Sequence, residues 1–219
     1  MLPLFFALLS IYGPLASATI VCLGDSLTAG YGLLETEAWP ALVQAKFEKE
    51  ASPWKLVNAG LSGDTSAGGL RRLHWQLKSS PEAVLVALGA NDGLRGIEIN
   101  ETEKNLDEIS RRARAAGAQL LLAGMELPSN YGEARRAQFR SVYKKLAAKH
   151  QAALLPFLLE GVGGVAELNL SDGIHPNEAG QIRVAETVYA FLKKNLRAPK
   201  SSGAIQKKKA VRSKKDMGK

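Results

Sequence analysis

Residues 19–30 read Thr-Ile-Val-Cys-Leu-Gly-Asp-Ser-Leu-Thr-Ala-Gly and set the pattern for the whole chain. Residues 19–23 form a short apolar run, which is typical of a strand that is covered on both faces. Gly24 and Gly30 flank the polar residues that follow, and glycine permits the tight turn that would lift the hydroxyl of Ser26 to the edge of a sheet. The stretch therefore predicts a first strand followed by a sharp turn into a helix, with Ser26 on the turn.

Short apolar runs recur along the chain at intervals of about 30 residues. After the first run, they cover residues 55–58, 83–88, 119–123 and 152–155. Amphipathic helical patterns alternate with them over residues 38–50, 68–77, 101–116, 135–149 and 177–196. This alternation predicts a single α/β domain, with a parallel sheet of about five strands and helices on both faces. In such a sheet, the chemistry gathers at the carboxyl ends of the strands, near the point where the strand order reverses.

The N-terminal segment differs in composition from the rest of the chain. Residues 1–18 carry no charged side chain and end in Ala16-Ser17-Ala18, a small-x-small pattern typical of a signal-peptidase site. We interpret residues 1–18 as a signal peptide, which predicts a periplasmic or secreted protein with a folded domain over residues 19–197. Because no Lys or Arg precedes the apolar run, a misassigned start or a buried first strand is the alternative.

The C-terminal segment is strongly basic. Residues 198–219 hold eight Lys or Arg and a single acid, Asp216, so most of the formal net charge of +8 lies there. Few large apolar side chains are present to offset the entropy of ordering, and we expect a disordered basic tail. A solvated, inert extension is one interpretation, and contact with an anionic envelope surface or with nucleic acid is the other. Export disfavours nucleic acid as the partner.

The chain has one cysteine, Cys22, and so cannot form an intrachain disulfide. A lipoprotein anchor would require small residues before the cysteine, and Ile20 and Val21 do not fit that pattern. Because Cys22 lies within the first apolar run, we expect it to be an inert residue of the core.

A nucleophilic serine requires a base, and the chain offers three histidines for that task. His74 lies on a charged helix face, and His150 ends a Lys-rich helix, where its charge would complement the helix dipole. His175 lies in a loop just before Pro176, and proline is favoured in the first turn of a helix. We therefore predict that His175 is the general base.

Asp172 precedes His175 by three residues, and the turn between them lets its carboxylate reach the imidazole. A carboxylate there would hold the ring in the required tautomer. It would also offset the N-terminus of the following helix, which opposes an imidazolium. A turn or helix-capping acid is the alternative role for Asp172. Ser26 also has an alternative role, as the N-cap of the helix that follows it.

Two turns follow the second and third predicted strands and could stabilise an oxyanion. Gly63 in the segment 58–65 could supply a backbone N–H, and Asn91 in the segment 89–93 could supply its side-chain amide. Each segment alone is an ordinary turn sequence. Their position directly after consecutive strands favours the functional interpretation.

Four blocks of this sequence resemble those of the SGNH (GDSL) hydrolase family: Gly24-Asp25-Ser26-Leu27, Gly60 with Gly63, Gly89-x-Asn91-Asp92 and Asp172-x-x-His175. They occur in the family's order, and the match covers roughly residues 19–196. The surrounding residues look like the periplasmic branch, whose members are described as acyl-CoA thioesterases, lysophospholipases and arylesterases.

The resemblance implies Ser26 as nucleophile, His175 as base and Asp172 as the residue that orients it. It implies an oxyanion hole made of the Ser26 and Gly63 N–H groups and the Asn91 amide. It also implies a flavodoxin-like, three-layer α/β/α sandwich, which agrees with the alternation of strands and helices. Such enzymes need no metal, and the sequence holds no convincing cluster of metal ligands, so we expect neither a metal nor a cofactor.

Apolar residues in two loops are candidates for contact with an acyl chain. Leu94 follows the predicted oxyanion segment, and Leu127, Pro128 and Tyr131 follow the fourth predicted strand. Both loops would lie at the edge of the sheet that holds Ser26. Anchoring of the loops to the core is the alternative role for these side chains.

We expect a monomeric serine hydrolase that cleaves carboxylic esters or thioesters of small molecules or lipids through an acyl-enzyme on Ser26. The alternative with the same mechanism is an O-acetyl esterase acting on carbohydrate or cell wall, and chain-length preference on model esters separates the two. A third interpretation, a non-catalytic protein that binds the envelope through its tail, is opposed by the complete set of Ser26, Asp172 and His175. The sequence has no Walker or G-x-G-x-x-G loop, which argues against a nucleotide site.

Overall fold

The computed structural model describes residues 18–199, and five parallel strands form the central sheet of this part of the chain. They are β1 (Ala18–Gly24), β2 (Trp54–Gly60), β3 (Ala83–Ala87), β4 (Gln119–Ala123) and β5 (Ala153–Leu155). The order across the sheet is β2-β1-β3-β4-β5. The chain therefore adds β2 on one side of β1 and then β3, β4 and β5 on the other side, so the strand order reverses between β1 and β3. Residues 1–17 of the predicted signal peptide and residues 200–219 of the predicted tail lie outside the described residues.

Helices follow the strands within residues 18–199 and cover both faces of the sheet. They are α1 (Ser26–Ala29), α2 (Trp39–Lys49), α3 (Ser66–Leu77), α4 (Ala90–Leu94), α5 (Ile99–Ala115), α6 (Glu133–His150) and α7 (Glu178–Asn195). On one face α2 packs against α7, and on the other α5 packs between α3 and α6. The predicted α/β fold, a three-layer sandwich around a parallel sheet of about five strands, is confirmed.

The inner strands are buried on both faces because helices cover each side. Ile20, Cys22 and Leu23 of β1 are fully buried, and every residue of β3 is buried. Burial raises the pKa of the Cys22 thiol, as expected of an inert core cysteine. The edge strand β2 departs from the predicted continuous apolar pattern, because only one of its faces is packed and Lys55 and Val57 are exposed.

The strand register brings the turns that follow β1, β2 and β3 to one place. Gly24 pairs with Gly60 of β2 and with Ala87 of β3, so these three parallel strands end side by side. Gly60 is required for the close approach of α1, since a Cβ there would lie 2.3 Å from the backbone nitrogen of Ala29. The helix that carries Ser26 is therefore pressed directly against the end of β2.

Arg72 of α3 holds the carboxyl ends of β1 and β2 together. Its Nη2 donates to the Gly24 carbonyl oxygen at 2.7 Å, and its Nη1 donates to the Ala59 carbonyl oxygen at 2.7 Å. Its Nε donates to Asp64 at 2.6 Å, and the Asp64 side chain is only 7% exposed. The guanidinium thus satisfies two strand-end carbonyls and one buried carboxylate, groups that would be costly to leave without donors.

Replacement of Arg72 by Met should destabilise the domain by about 3–5 kcal/mol, because it leaves the buried Asp64 carboxylate unpaired. Urea unfolding followed by circular dichroism measures the change. The matched control is Arg71→Met, since Arg71 is the preceding residue on α3 and is exposed. Substitution of such a surface residue should change the free energy of unfolding by less than about 0.5 kcal/mol. Equal losses in the two variants would contradict the role given to Arg72.

Candidate active site

Three side chains from opposite ends of the domain meet at the carboxyl edge of the sheet. The Oγ of Ser26 lies 2.8 Å from Nε2 of His175, although the two residues are 149 positions apart in the chain. The Nδ1 of the same ring lies 2.7 Å from Oδ2 of Asp172. The structure therefore brings together the hydroxyl, the imidazole and the carboxylate in one hydrogen-bonded line.

The short helix α1 presents the Ser26 hydroxyl. The N-cap of α1 is Asp25, whose Oδ1 accepts a hydrogen bond from the Leu27 N–H at 3.0 Å. The alternative role of Ser26 as the N-cap is therefore wrong, and its hydroxyl is directed to His175 instead. The Ser26 carbonyl accepts from the N–H groups of Gly30 and Tyr31, at 3.1 Å each, and this ends the helix after one turn.

The loop before α7 holds His175 through its backbone. The Leu170 N–H donates to the His175 carbonyl at 2.7 Å, and Asn169 forms an isolated β-bridge with Pro176. The Oδ1 of Asp172 accepts from the N–H groups of Ile174 at 2.8 Å and His175 at 3.0 Å. One carboxylate thus closes the turn with one oxygen and contacts the ring with the other, so the turn contact and the ring contact do not compete.

Electrostatics keep Asp172 ionised at any pH near neutrality. Partial burial acts to raise the pKa of this carboxyl, but the hydrogen bonds from the His175 backbone and ring and from the Ile174 N–H outweigh it. The net effect lowers the pKa of Asp172 to about 2. A carboxylate that stays negative stabilises a positive charge on the adjacent imidazole.

Tyr31 packs against the imidazole, and the sequence analysis did not single it out. The centroid of its ring lies 4.5 Å from that of His175, with the two planes at 38°. Tyr31 is therefore a further side chain in contact with the imidazole. The signal that could have found it is an aromatic residue five positions after Ser26, at the end of a helix only one turn long.

Gly63 lies in a turn that docks onto the end of β1. The Asp64 N–H donates to the Leu61 carbonyl at 3.0 Å, which closes a β-turn with Gly63 at its third position and a φ of +77°. A positive φ at this position requires glycine. The Leu61 N–H donates to the Gly24 carbonyl at 3.1 Å, and Arg95 donates to the Gly63 carbonyl at 2.8 Å. Hydrogen bonds therefore hold the turn both at Leu61, before Gly63, and at the Gly63 carbonyl itself.

Asn91 lies on α4, where the sequence predicted a turn over residues 89–93 rather than a helix. Its Nδ2 donates to the Asp64 carbonyl at 2.9 Å. An amide carries two N–H donors, so one remains for an oxygen in the site. The neighbouring Asp92 is fully buried and accepts from the Ser66 N–H at 2.8 Å and from the Ser66 hydroxyl. These contacts tie α4 to the first turn of α3.

The two other histidines lie away from Ser26. His74 is exposed on α3, and its Nδ1 lies 2.9 Å from the Arg71 carbonyl of the same helix. His150 ends α6, and its Nε2 lies 2.6 Å from the Asp107 carboxylate of α5. Neither of these contacts involves Ser26, so within residues 18–199 His175 is the histidine that the structure places beside the Ser26 hydroxyl.

An apolar groove of about 370 Å³ begins beside the triad of Ser26, His175 and Asp172. Leu27, Gly173 and Ile174, the immediate neighbours of catalytic candidates, line its near end. Of the four residues predicted to contact substrate, three line the groove: Leu94, Leu127 and Pro128. The sequence analysis missed other lining residues, which come from the ends of β4 and β5: Met125, Phe157 and Leu159.

Tyr131 is placed differently from the prediction. It is not among the residues that line the groove, and its hydroxyl donates to the Leu94 carbonyl at 3.1 Å. It therefore supports the end of α4 from outside. A larger depression, of about 630 Å³, lies between α5 and α6, but it is lined mainly by charged residues and lacks any member of the triad. Among residues 18–199, no three His, Cys, Asp or Glu side chains are grouped to hold a metal ion.

Asp25 places a second acid next to the nucleophile. Its side chain is fully buried, and its Oδ2 has no hydrogen-bond partner. Burial raises the pKa of Asp25 to about 6, even though the hydrogen bond from the Leu27 N–H and the attraction of His175 act to lower it. The ionised form therefore carries a cost in the folded state that the unfolded chain does not have.

Comparisons with known proteins agree on one family. The model of the GDSL-like Lipase/Acylhydrolase family matches residues 22–182. The chain is 45% identical to Esterase TesA of Pseudomonas aeruginosa over 179 residues, which is 81% of this chain and 89% of that protein. It is 43% identical to the Thioesterase 1/protease 1/lysophospholipase L1 of Escherichia coli, over 84% of this chain and 88% of that protein. It is 37% identical to an Arylesterase of Vibrio mimicus, over 83% and 91%.

Solved structures give the same result for the fold. The crystal structure of TesA superposes with a TM-score of 0.79 over 81% of this chain and 99% of that chain. The esterase EstA of a Pseudoalteromonas species, inhibited by monoethylphosphonate, is 37% identical and gives a TM-score of 0.78 over 81% and 98%.

Replacement of Asp25 by Asn should change how stability depends on pH. With its pKa raised from an ordinary value of 3.8 to about 6, the wild type loses stability as the pH rises through this window. An asparagine keeps the N-cap acceptor but does not ionise. The free energy of unfolding of the variant, relative to the wild type, should therefore rise by about 2 kcal/mol between about pH 4 and pH 7. Urea unfolding at both pH values measures it, and a difference that is independent of pH would contradict the shift.

Proposed function

We propose a function for this chain from one premise: it belongs to the GDSL-like Lipase/Acylhydrolase family. It is a hydrolase of carboxylic esters or thioesters, as its relatives are, and the family and activity class predicted from the sequence are confirmed. The observation that carries the proposal for its site is the hydrogen-bonded line from Ser26 through His175 to Asp172.

In the proposed first step, the Oγ of Ser26 attacks the carbonyl carbon of the substrate. The Nε2 of His175, 2.8 Å away, takes the hydroxyl proton as the new bond forms. The Nδ1–H of the ring donates to Asp172, which fixes the tautomer and stabilises the imidazolium. When the tetrahedral intermediate collapses, His175 gives the proton to the leaving alcohol or thiol, and the acyl group remains on Ser26 as an ester.

The second step returns the enzyme to its starting state. A water molecule takes the place of the leaving group and attacks the acyl-enzyme, while His175 accepts its proton. Collapse of this second intermediate releases the carboxylic acid and returns the proton to the Oγ of Ser26. The sum is one ester or thioester plus one water giving one acid plus one alcohol or thiol, with no cofactor required.

The negative oxygen of both intermediates needs donors that are already in place. We assign this task to the backbone N–H groups of Ser26 and Gly63 and to the Nδ2 of Asn91. Support comes from the contacts that hold these groups: Arg95 fixes the Gly63 carbonyl, and the buried Asp92 anchors α4 next to Asn91. Donors fixed in this way need no reorganisation at the moment of reaction.

The groove supports an acyl chain as the part of the substrate that this enzyme recognises. It starts at Leu27, next to the nucleophile, and continues past buried apolar side chains such as Met125 and Leu127. An acetyl group would leave most of this surface empty, so the groove favours esters of longer acids over O-acetyl groups. Lysophospholipids and long-chain acyl thioesters present such a chain, and so do aryl esters of long acids.

A periplasmic or secreted location and a monomeric state remain proposals. The location rests on the composition of residues 1–18, with their small-x-small end. No helix between residues 18 and 199 is long and apolar enough to cross a membrane. Contact of the basic residues after position 198 with an anionic envelope surface is proposed from their charge alone.

Treatment with a fluorophosphonate should attach one phosphonyl group to Ser26. The reagent suits the family, since EstA is inhibited by monoethylphosphonate. Intact mass spectrometry followed by peptide mapping should find the adduct in the wild type, not in Ser26→Ala, and at a slower rate in His175→Ala. Ser79→Ala, an exposed serine after α3, is the control and should label like the wild type. An adduct that persists in Ser26→Ala would refute the assignment of the nucleophile.

Replacement of Asp172 by Asn should reduce kcat by up to ~10⁴-fold while the fold stays intact, because the ring loses the acceptor that sets its tautomer. The asparagine oxygen can still accept from the Ile174 and His175 N–H groups, so the turn should survive. Steady-state kinetics on an aryl ester and an acyl thioester measure the loss. Glu167→Gln, an exposed acid in the same loop, is the control and should keep wild-type turnover. Unchanged turnover in Asp172→Asn would show that another group orients His175.

A further inference from the structure

The groove beside Ser26 meets a cluster of charges, and we propose that Arg136, paired with Glu126, limits the length of the acyl chain that the groove accepts. The inference rests on the ester hydrolysis proposed above. To that proposed function, the inference adds a residue that determines substrate specificity and lies away from Ser26, His175 and Asp172.

The groove runs across the carboxyl edge of the sheet, away from the nucleophile. The strand order places β3, β4 and β5 at increasing distance from β1, whose end carries Ser26. Neighbouring strands are about 4.8 Å apart, so the residues that follow β4 lie roughly 10 Å from the end of β1. Leu27 and Ile174, neighbours of Ser26 and His175 in the chain, line the near end of the groove. Glu126 lines it from the segment that follows β4, and Arg136 of α6 lines it next to Leu127 of that segment.

Most of the remaining lining is apolar, and part of it is firmly packed. Met125 is 1% exposed and Leu127 is 2% exposed, so both belong to the core as well as to the groove. Phe157 and Leu159 line it from the segment after β5. An acyl chain that extends from Ser26 across the end of β4 therefore runs along an apolar groove in which Glu126 and Arg136 are the charged lining residues.

Arg136 is held in place by several acceptors rather than left mobile. Its Nε donates to the Leu127 carbonyl at 3.0 Å, which fixes the guanidinium against the groove wall. Its Nη1 donates to Glu133 at 2.9 Å, and its Nη2 lies 3.5 Å from Glu126. Arg140 contacts the same two glutamates but does not line the groove. The two arginines and two glutamates balance in charge.

The chain-length limit follows from the cost of removing water from these charges. The side chains of Arg136 and Glu126 are 26% and 27% exposed, so each keeps part of its hydration. A methyl group pressed against them would displace that water and give no hydrogen bond in return. A chain that ends before Arg136 gains the apolar contacts without this cost, and a longer chain does not.

Replacement of Arg136 by Met tests the proposal, because it keeps much of the side-chain length and removes the charge. The quantity to measure is the ratio of kcat/KM for dodecanoyl over butanoyl p-nitrophenyl esters. In Arg136→Met this ratio should rise on the order of tenfold, the scale of a few added methylene contacts. Arg136→Lys keeps the charge and should stay near the wild-type ratio. Arg140→Met is the matched control, because Arg140 pairs with the same two glutamates but does not itself line the groove, and it should also leave the ratio unchanged.

A ratio that does not change in Arg136→Met, or that rises equally in Arg140→Met, would overturn the proposal. A second test uses the wild-type enzyme and so does not depend on the folding of a variant. An ω-hydroxydodecanoyl ester should be cleaved with a higher kcat/KM than the dodecanoyl ester, because its terminal hydroxyl can hydrogen-bond to Arg136 and Glu126. Equal values would show that long chains leave the groove before Arg136. Fluorophosphonate labelling separates the two proposals. A wild type that is not labelled and cleaves neither ester refutes the proposed function. A labelled enzyme whose ratio does not change in Arg136→Met refutes this inference alone.

Discussion

The hydrogen bond between Ser26 Oγ and His175 Nε2 is the constraint on which the site depends, because it joins residues 149 positions apart. It forms only if the turn after β1 and the loop before α7 reach the same edge of the sheet. Parallel strands in the order β2-β1-β3-β4-β5 ensure this, since every strand ends at that edge. The strand order reverses between β1 and β3, and at such a point ligands bind in open α/β sheets, so the proposed roles of Ser26 and Asn91 fit their place in the fold.

Buried polar groups, rather than the catalytic residues themselves, hold this edge in shape. Arg72 joins the ends of β1 and β2, and Asp92 joins α4 to α3. The hydroxyl of Tyr143, a buried residue of α6, donates to the Leu88 carbonyl at 2.9 Å and so fixes the end of β3. None of these groups needs to touch the substrate. In the proposed mechanism their contribution is preorganisation: the proposed oxyanion donors are already in place when charge develops on the substrate.

The sequence predicted the sheet correctly, and it predicted that Ser26, His175 and Asp172 would meet, because in both cases few arrangements satisfy the pattern. Continuous apolar runs specify buried parallel strands, and a chain with three histidines leaves little choice of base once His74 and His150 are placed on helices. The lining of the groove was predicted less completely than the sheet. Its walls come from segments that follow strands adjacent in space but not in the chain. In the sequence, Met125 has the pattern of a core residue, so nothing indicates that it also lines the groove. The position of Tyr131 could not be predicted for the same reason, since a loop residue three positions after Pro128 can face either the groove or the backbone behind it.

A crystal structure of the enzyme phosphonylated on Ser26 tests the account most directly, because the phosphonyl group has the tetrahedral geometry of the proposed intermediates. The account predicts that one phosphonyl oxygen lies within about 3 Å of the Gly63 nitrogen and of Asn91 Nδ2, with His175 still paired to Asp172. The alkyl substituent should enter the groove past Leu27. A phosphonyl oxygen that faces solvent, away from Gly63 and Asn91, would contradict the proposed site.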